Sequence, residues 1–255
     1  MIDLKDKLTV VLTTHILPSA PETHVLESTI SSIRKNFKNI SDCQFLIYCD
    51  SKVDNPNYEN YVSNLQRIDN VKVINVPHDG FPYSGLQNNY INSIKNCETP
   101  FIFCCEHDWF FLREVNTTKL IQSMIDNDFI NFVRFNKRKN SKAHIDNPEP
   151  GDADFWETYV EPEDRPIDQP LMKTDCIATH PHIIRKDKFI ADWLHLASRT
   201  DYRVPGMVEF NLFREYKKDI SHLGFEKAHR KWGVYNYGSK DEPKIISHTD
   251  GSEKH

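Results

Sequence analysis

The chain has 255 residues, of which 38% are hydrophobic and 27% are charged. This length and composition predict a globular protein with a substantial core, in one large domain or two small ones, and argue against a disordered chain. The net charge of −5 argues against a protein that binds DNA or RNA by neutralising phosphates over a broad surface.

The chain carries no sequence signal for a membrane or for secretion. No segment approaches the roughly 18 to 20 apolar residues of a membrane-spanning helix, and the N-terminus lacks the apolar stretch of a signal peptide. The six cysteines show no C-x-x-C spacing and most lie in apolar runs, which favours buried free thiols. We therefore expect a cytoplasmic protein without a transmembrane segment.

Strand-like and helix-like patterns alternate in the first half of the chain. Short apolar or β-branched runs predict strands at 8–14, 43–49, 71–76 and 101–105, and helical periodicity predicts helices at 24–37, 58–68 and 84–96. A helix at 117–127 and a strand at 129–135 follow. This order predicts an α/β fold with parallel strands and right-handed connections.

The second half is less regular. The segment 144–170 is rich in Pro, Asp and Glu and has little periodicity, which predicts a long irregular loop of the kind that covers or lines a binding site. Regular structure resumes at 177–184, helices are predicted near 186–198 and 208–216, and a glycine-containing tail ends the chain.

Polar residues follow three of the predicted strands. They are Thr13, Thr14 and His15 after the first strand, Asp50 after the second, and Glu106, His107 and Asp108 after the fourth. Open α/β sheets bind ligands beyond the carboxyl ends of their strands, where helix N-termini also offer N–H groups to anions. We expect these residues to share one rim.

The segment FIFCCEHD at 101–108 resembles the buried strand and acidic D-x-D motif of GT-A glycosyltransferases, particularly the inverting enzymes. The segment GLQNNYI at 85–91 is similar to the helix of that family that bears an asparagine, here Asn88. The match covers about the first half of the chain in order and spacing.

This resemblance implies a GT-A type α/β fold, with a Rossmann-like, mostly parallel central sheet flanked by helices and a C-terminal acceptor-side subregion. It also implies one GT-A-like domain over 1–255, with a nucleotide-sugar-binding half at 1–135 and an acceptor-side half and tail at 136–255.

The implied activity is transfer of a sugar, with inversion, from a nucleoside-diphosphate sugar to an acceptor hydroxyl. The acceptor is a glycan, a lipid-linked molecule or a protein, and nucleic acid is not an expected partner. The residues expected to bind the nucleotide sugar are Thr13, Thr14, His15, Asp50, Asn88, Glu106 and His107.

The same resemblance implies Mn²⁺ or Mg²⁺ as cofactor, held by Asp108 with Glu106 and His248. His248 enters because the segments 232–238 and 245–248 resemble the family's C-terminal strand and the loop that closes over the diphosphate. Two carboxylates that flank one residue can converge on a hard cation, which neutralises a leaving diphosphate. Glu106 stands where the family usually has Asp, so its longer side chain can instead reach the sugar or ribose.

Glu209 is the expected general base, because it follows a Pro-Gly turn at a predicted helix start, where the family places the group that deprotonates the acceptor. A glutamate in a first helical turn is also favoured by the helix dipole alone. Asp168 and Asp175 are the alternative bases.

Two other functions compete with this one. A sugar-phosphate nucleotidyltransferase uses a similar sheet and metal, but it usually carries a glycine-rich basic loop after the first strand, and here that loop at 17–21 is LPSAP. A non-catalytic nucleotide- or carbohydrate-binding module is favoured only by Glu106 in place of Asp.

Three further features are expected to have no catalytic or binding role. His180 and His182 are spaced as one buried and one exposed histidine rather than as metal ligands, and the helical register of Trp193 favours the core over sugar stacking. The basic cluster at 137–139 is typical of a solvated surface and receives no role.

Overall fold

The computed structural model describes residues 2–15, 19–51, 55–77, 84–140, 160–199 and 208–249. Its strands are β1 (Leu8–Thr14), β2 (Gln44–Ser51), β3 (Lys72–Pro77), β4 (Phe101–Glu106), β5 (Trp109–Phe111), β6 (Phe132–Arg134), β7 (Val160–Pro162), β8 (Leu171–Thr174), β9 (His182–Arg185), β10 (Val234–Tyr237) and β11 (Ile246–His248).

The helices are α1 (His24–Asn36), α2 (Tyr58–Leu65), α3 (Ser84–Asn96), α4 (Thr117–Asp126), α6 (Val208–Leu223) and α7 (Phe225–Trp232), together with a 3₁₀ turn at Ile40–Asp42. Between α4 and α6 lies one further helix, here called α5. It consists of an α-helical turn at Lys186–Lys188, a π-helical stretch at Phe189–Trp193 and an α-helical turn at Leu194–Ala197.

The main sheet has nine strands in the order β3-β2-β1-β4-β9-β6-β10-β8-β7. The strands β1 to β4 are mutually parallel, whereas β9 and β8 run against the other seven. The second sheet pairs β5 with β11. The mostly parallel α/β sheet of the prediction is therefore confirmed.

Helices cover both faces of this sheet. Along β1, Val10 and Leu12 point to a core shared with α1, α2 and α4, while Val11 points to a second core shared with α3, α5, α6 and α7. Because both faces are covered, all seven residues of β1 are buried, and the strand consists of apolar and β-branched residues without alternating charged positions. This pattern explains why the sequence predicts β1 so clearly.

The second half departs from the prediction in three places. β7 lies inside the segment predicted as an irregular loop, α6 continues to Leu223, and α7 lies in the predicted tail. Gly224, with a φ of 79°, separates α6 from α7, so this glycine marks a corner between helices rather than the start of a tail. The strand predicted at 129–135 is reduced to three residues, Phe132–Arg134.

All six cysteines are free and buried, as predicted. None of the helices in the described ranges has the length and apolar character needed to cross a bilayer.

Candidate active site at the carboxyl edge of the sheet

The carboxyl ends of β1, β2 and β4 lie side by side, as the sequence predicts. Thr13 is level with Tyr48 on β2 and with Glu106 on β4. The polar residues that follow these strands therefore meet along one edge of the sheet.

The second sheet brings the C-terminal segment to this edge. His248 on β11 pairs with Trp109 on β5, directly after Asp108. The Asp108 carbonyl accepts hydrogen bonds from the Thr249 backbone N–H at 2.8 Å and from the Thr249 hydroxyl at 2.9 Å. His248 Nε2 then lies 3.0 Å from Asp108 Oδ2.

His107 supports Asp108 from the other side. Its Nε2 is 3.7 Å from Asp108 Oδ2 and its Nδ1 is 3.4 Å from the Thr13 carbonyl. The exposed His15 ring meets the His107 ring edge-on, with 4.9 Å between centroids. These contacts place both predicted histidines at the rim.

Asp108 is only 7% exposed, and its Oδ1 has no hydrogen-bond partner among the described residues. Such a buried, unsatisfied oxygen fits a cation or a donor group of a ligand. In the part of the chain that the structure describes, no group of three or more His, Cys, Asp or Glu side chains is arranged to hold a metal ion. The metal role of Asp108, Glu106 and His248 stays a prediction.

Glu106 and Glu209 line one cavity, together with Thr13, Gln87, Tyr90 and Thr179. Burial, then the nearby Asp108 and then Glu209 raise the pKa of Glu106 to about 8, against a small opposing effect of the Trp109 N–H at 3.4 Å. Three carboxyl groups thus lie close together, and a cation at this rim would relieve their repulsion.

Glu209 lies in the first turn of α6 and is held by a neighbouring hydroxyl. The Thr179 side chain donates a hydrogen bond of 2.7 Å to Glu209 Oε2. The other carboxylate oxygen of Glu209 has no hydrogen-bond partner among the described residues. The Pro-Gly turn predicted to precede it, at 205–206, lies outside the described residues.

Asp50, at the end of β2, packs against the start of α3. It is 7% exposed, and a Cβ built on Gly85 would lie 2.0 Å from Asp50 Oδ2, so glycine is needed for this approach. Asp50 Oδ1 is buried without a hydrogen-bond partner in the described ranges. The Thr14 hydroxyl is 2.8 Å from the Tyr61 hydroxyl, which fixes the end of β1 against α2.

No protein-family model matches the chain, and no curated protein matches it by sequence. Among solved structures, S. aureus TarS 1-349 superposes with a TM-score of 0.52 and 12% identity, over 95% of this chain and 60% of that chain. S. aureus TarS 1-349 in complex with UDP-GlcNAc gives a TM-score of 0.49 and 10% identity, over 98% of this chain and 62% of that chain. The apo form of mouse xyloside xylosyltransferase 1 gives a TM-score of 0.46 and 11% identity, over 96% of this chain and 98% of that chain. The TarS superposition at 0.52 decides the fold. The chain has a GT-A type fold.

Within this GT-A type fold, the two alternative bases lie in different surroundings from Glu209, and their role as bases stays a prediction. Asp175 is buried, and its Oδ2 forms an ion pair with Lys217 of α6. Asp168 is exposed on the surface. The cavity contains neither residue.

The remaining sequence candidates lie as follows. Asn88 is half-buried on α3, while its neighbour Asn89 is buried and donates to the Tyr48 carbonyl at 3.4 Å. Trp193 is 2% exposed and stacks on Trp232, as the core interpretation predicts. Residues 144–159 of the predicted irregular loop lie outside the described residues.

Among the residues that line the cavity, sequence reasoning missed three that carry an amide or a hydroxyl group, namely Gln87, Tyr90 and Thr179. Tyr90 is fixed by a buried contact of 2.8 Å between its hydroxyl and His182 Nε2, while His182 Nδ1 lies 2.8 Å from the His180 carbonyl. His182 is therefore a positioning group rather than a metal ligand. Helical spacing on α3 was a usable signal for Gln87 and Tyr90, but the irregular stretch before β9 offered none for Thr179.

Proposed function

We propose that this chain is a glycosyltransferase that moves a sugar, with inversion, from a nucleoside-diphosphate sugar to an acceptor hydroxyl. The observation that carries the proposal is that Glu106 and Glu209 line one cavity at the carboxyl edge of a GT-A type sheet, with Asp108 close enough to Glu106 to raise its pKa. The same fold can carry many different reactions, so the proposed reaction is inferred from the residues of the site.

The donor occupies the side of the site formed by β1, β2 and α3. Asp50 and the polar end of β1 contact the nucleoside, and Asn88 and His107 flank the path to the sugar. Glu106, whose pKa of about 8 keeps its carboxyl protonated at neutral pH without a cation, can donate a hydrogen bond to a sugar oxygen.

Mn²⁺ or Mg²⁺ is the proposed cofactor, held by Asp108 and His248, with Glu106 within reach. Such ions are commonly bound by one or two protein carboxylates plus substrate phosphate oxygens, and the buried Oδ1 of Asp108 has no hydrogen-bond partner among the described residues. When bound, the cation supplies positive charge for the departing diphosphate.

Glu209 acts as the general base. The Thr179 hydroxyl occupies its Oε2 and fixes the carboxylate, so Oε1 remains to accept the proton of the acceptor hydroxyl. The acceptor oxygen attacks the anomeric carbon from the face opposite the diphosphate, which inverts the configuration at that carbon in a single displacement. A cytoplasmic location completes the proposal.

Ligand-induced stabilisation tests donor binding. We expect one nucleoside diphosphate among UDP, GDP, CDP and dTDP to raise the melting temperature by about 5 to 10 °C at 100 times its Kd, more strongly with MnCl₂ than with EDTA. Asp108→Asn should lose the manganese-dependent part, while Asp6→Asn, an exposed carboxylate before β1, should retain it.

Transfer is then measured with the matching nucleotide sugars. Glu209→Gln should bind the nucleotide like the wild type but lose turnover to acceptors and to water. The proposal is wrong if no nucleoside diphosphate binds, and a response to nucleoside triphosphates alone would favour the nucleotidyltransferase instead.

A further inference from the structure

One backbone carbonyl joins two helices that line the proposed catalytic cavity. The Ala197 carbonyl, at the end of α5, accepts hydrogen bonds from Gln87 Nε2 of α3 at 2.8 Å and from Asn211 Nδ2 of α6 at 3.2 Å. From this junction we infer that Asn211 is a positioning residue, which holds Glu209 of α6 at a fixed distance from α3. The inference rests on the proposed function and adds a residue that acts through the general base.

The Ala197 carbonyl is available because it lies in the last turn of a helix. Carbonyl groups in a last turn have no N–H partner further along the same helix. The next two backbone amides, those of Ser198 and Arg199, donate to the carbonyls of Leu194 and Leu196 instead. The Ala197 carbonyl can therefore accept hydrogen bonds from the side chains of other helices.

Both side-chain donors lie beside the cavity. Gln87 lines it, together with Tyr90 one turn further along α3. Asn211 lies in the first turn of α6, as Glu209 does, and its Nδ2 also donates to the Arg199 carbonyl at 2.9 Å. Because residues of one helical turn are joined by the helix backbone, a shift of Asn211 would move Glu209 with it.

The side chain and the backbone of Glu209 are thus held by different groups. The Thr179 hydroxyl donates to Glu209 Oε2 and orients the carboxylate. The Asn211 amide instead places the helical turn that carries Glu209. Transfer requires both, because the base must reach the acceptor hydroxyl at hydrogen-bond distance.

Stability alone does not favour an asparagine at this place. Asn211 is 0% exposed, and its Oδ1 has no hydrogen-bond partner among the described residues. A buried polar atom without a partner destabilises the folded chain, whereas a leucine of similar size would bury no such atom. A polar group that lowers stability beside a reaction site is typical of a functional role.

The test compares Asn211→Leu with the wild type in steady-state transfer from the nucleotide sugar that the wild type uses. Leucine removes both N–H donors, while the Ala197 carbonyl keeps its hydrogen bond from Gln87. We expect kcat to fall about 10-fold, with the KM for the donor and the Kd of its nucleoside diphosphate unchanged, because the base moves while the donor site does not. Rates are measured well below the melting temperature of the variant.

Asn131→Leu is the matched control. Asn131 is 4% exposed, its Nδ2 donates to the Trp232 carbonyl at 3.1 Å, and its Oδ1 also has no partner in the described ranges. It does not line the cavity. This variant should lower the melting temperature but keep the wild-type kcat, which separates a loss of stability from a loss of position.

Gln87→Met reaches the same carbonyl from α3 and serves if Asn211→Leu does not fold. It should also lower kcat at constant Kd for the nucleoside diphosphate. In the double variant Gln87→Met/Asn211→Leu, the fall in kcat should exceed the product of the two single effects, because the Ala197 carbonyl then loses both side-chain donors.

Two results would overturn this inference and leave the proposed function intact. One is a wild-type kcat in Asn211→Leu, or in Gln87→Met where only that variant folds. The other is a weaker Kd for the nucleoside diphosphate at unchanged kcat, because Asn211 would then serve the donor site. Absence of turnover by the wild type with every nucleotide sugar would instead contradict the proposed function, and the inference would fail with it.

Discussion

His248 Nε2 lies 3.0 Å from Asp108 Oδ2, although the two residues come from opposite halves of the chain. The contact exists because β11 pairs with β5, the short strand that begins directly after Asp108. The C-terminal segment is therefore a structural part of the rim.

His248→Gln should weaken manganese-dependent nucleotide binding about 10-fold, because it removes one of the two side chains that meet at the proposed cation position. Calorimetric titration of UDP at fixed MnCl₂ measures this loss, and the same titration in EDTA should give equal affinities for wild type and variant. His24→Gln, an exposed histidine at the start of α1, is the control. Unchanged affinity in manganese would remove His248 from the ligand set.

Gly85→Ala should destabilise the protein by about 1 to 3 kcal/mol, whereas the same change inside an ordinary helix stabilises by up to about 1 kcal/mol. The sign reverses because the new Cβ would lie 2.0 Å from Asp50 Oδ2 and 2.3 Å from Asp50 Cγ. The displaced carboxylate should also weaken nucleotide binding. Urea unfolding and a UDP titration measure the two effects.

The double variant Asp50→Ala/Gly85→Ala separates crowding from any general effect on α3. Removal of the carboxylate makes room for the methyl group, so the two changes should be strongly non-additive in the free energy of unfolding. Additive losses would show that the clash with Asp50 is not the cause.

The sequence predicts those parts of the fold and site that depend on continuous local patterns. β1 matches its prediction because both of its faces are buried, and Asp108 is found because it follows the apolar β4. β5 and β11 have three residues each, too few for periodicity, so the pairing that places His248 beside Asp108 has no local signal. The resemblance to a family, rather than the pattern, pointed to His248.

Side-chain partners were the other gap in the sequence reasoning. Asp175 is a plausible base in sequence, but its pairing with Lys217 depends on where α6 packs. The role of Thr179 could not be predicted for the same reason. Its hydrogen bond to Glu209 joins a loop to a helix about 30 residues further along the chain, and this contact depends on how the two segments pack.

Acidification should destabilise the protein between about pH 6.5 and pH 4 through two buried histidines. Burial is the main cause that lowers the pKa of His182 and of His229 to about 4. Between pH 6.5 and pH 4 these two histidines are protonated in the unfolded chain but neutral in the folded chain, so the free energy of unfolding falls as pH falls. Each group contributes at most about 1.4 kcal/mol per pH unit.

His182→Gln should flatten this pH dependence in urea unfolding at pH 7, 6 and 5, even if its stability at pH 7 is lower. The decisive quantity is the difference in slope between variant and wild type. Glu106, with its pKa raised to about 8, makes a contribution to the free energy of unfolding that increases as pH falls, and this contribution opposes that of the histidines in both proteins. An exposed histidine variant, His24→Gln, should keep the wild-type slope. Parallel curves for His182→Gln and wild type would contradict the assignment.

Thr179→Val should lower kcat about 10-fold and leave the KM for the donor unchanged. The valine keeps the size of the side chain but removes the hydroxyl that donates to Glu209 Oε2 at 2.7 Å, so the carboxylate is no longer held in one orientation. Initial rates at varied donor and acceptor concentrations separate kcat from KM. Thr179→Ser keeps the donor and should restore most of the rate.

Thr118→Val is the matched control for this substitution. It also removes one hydroxyl, which accepts a hydrogen bond of 3.1 Å from the Asn39 side-chain amide, but Thr118 lies on α4 and does not line the cavity. If Thr179→Val lowers the melting temperature but not kcat, Thr179 stabilises the loop without positioning the base. If kcat falls and serine does not restore it, lost packing rather than the lost hydrogen bond is responsible. Only a fall in kcat that serine reverses, at constant donor KM, fits a hydroxyl that orients Glu209 toward the acceptor.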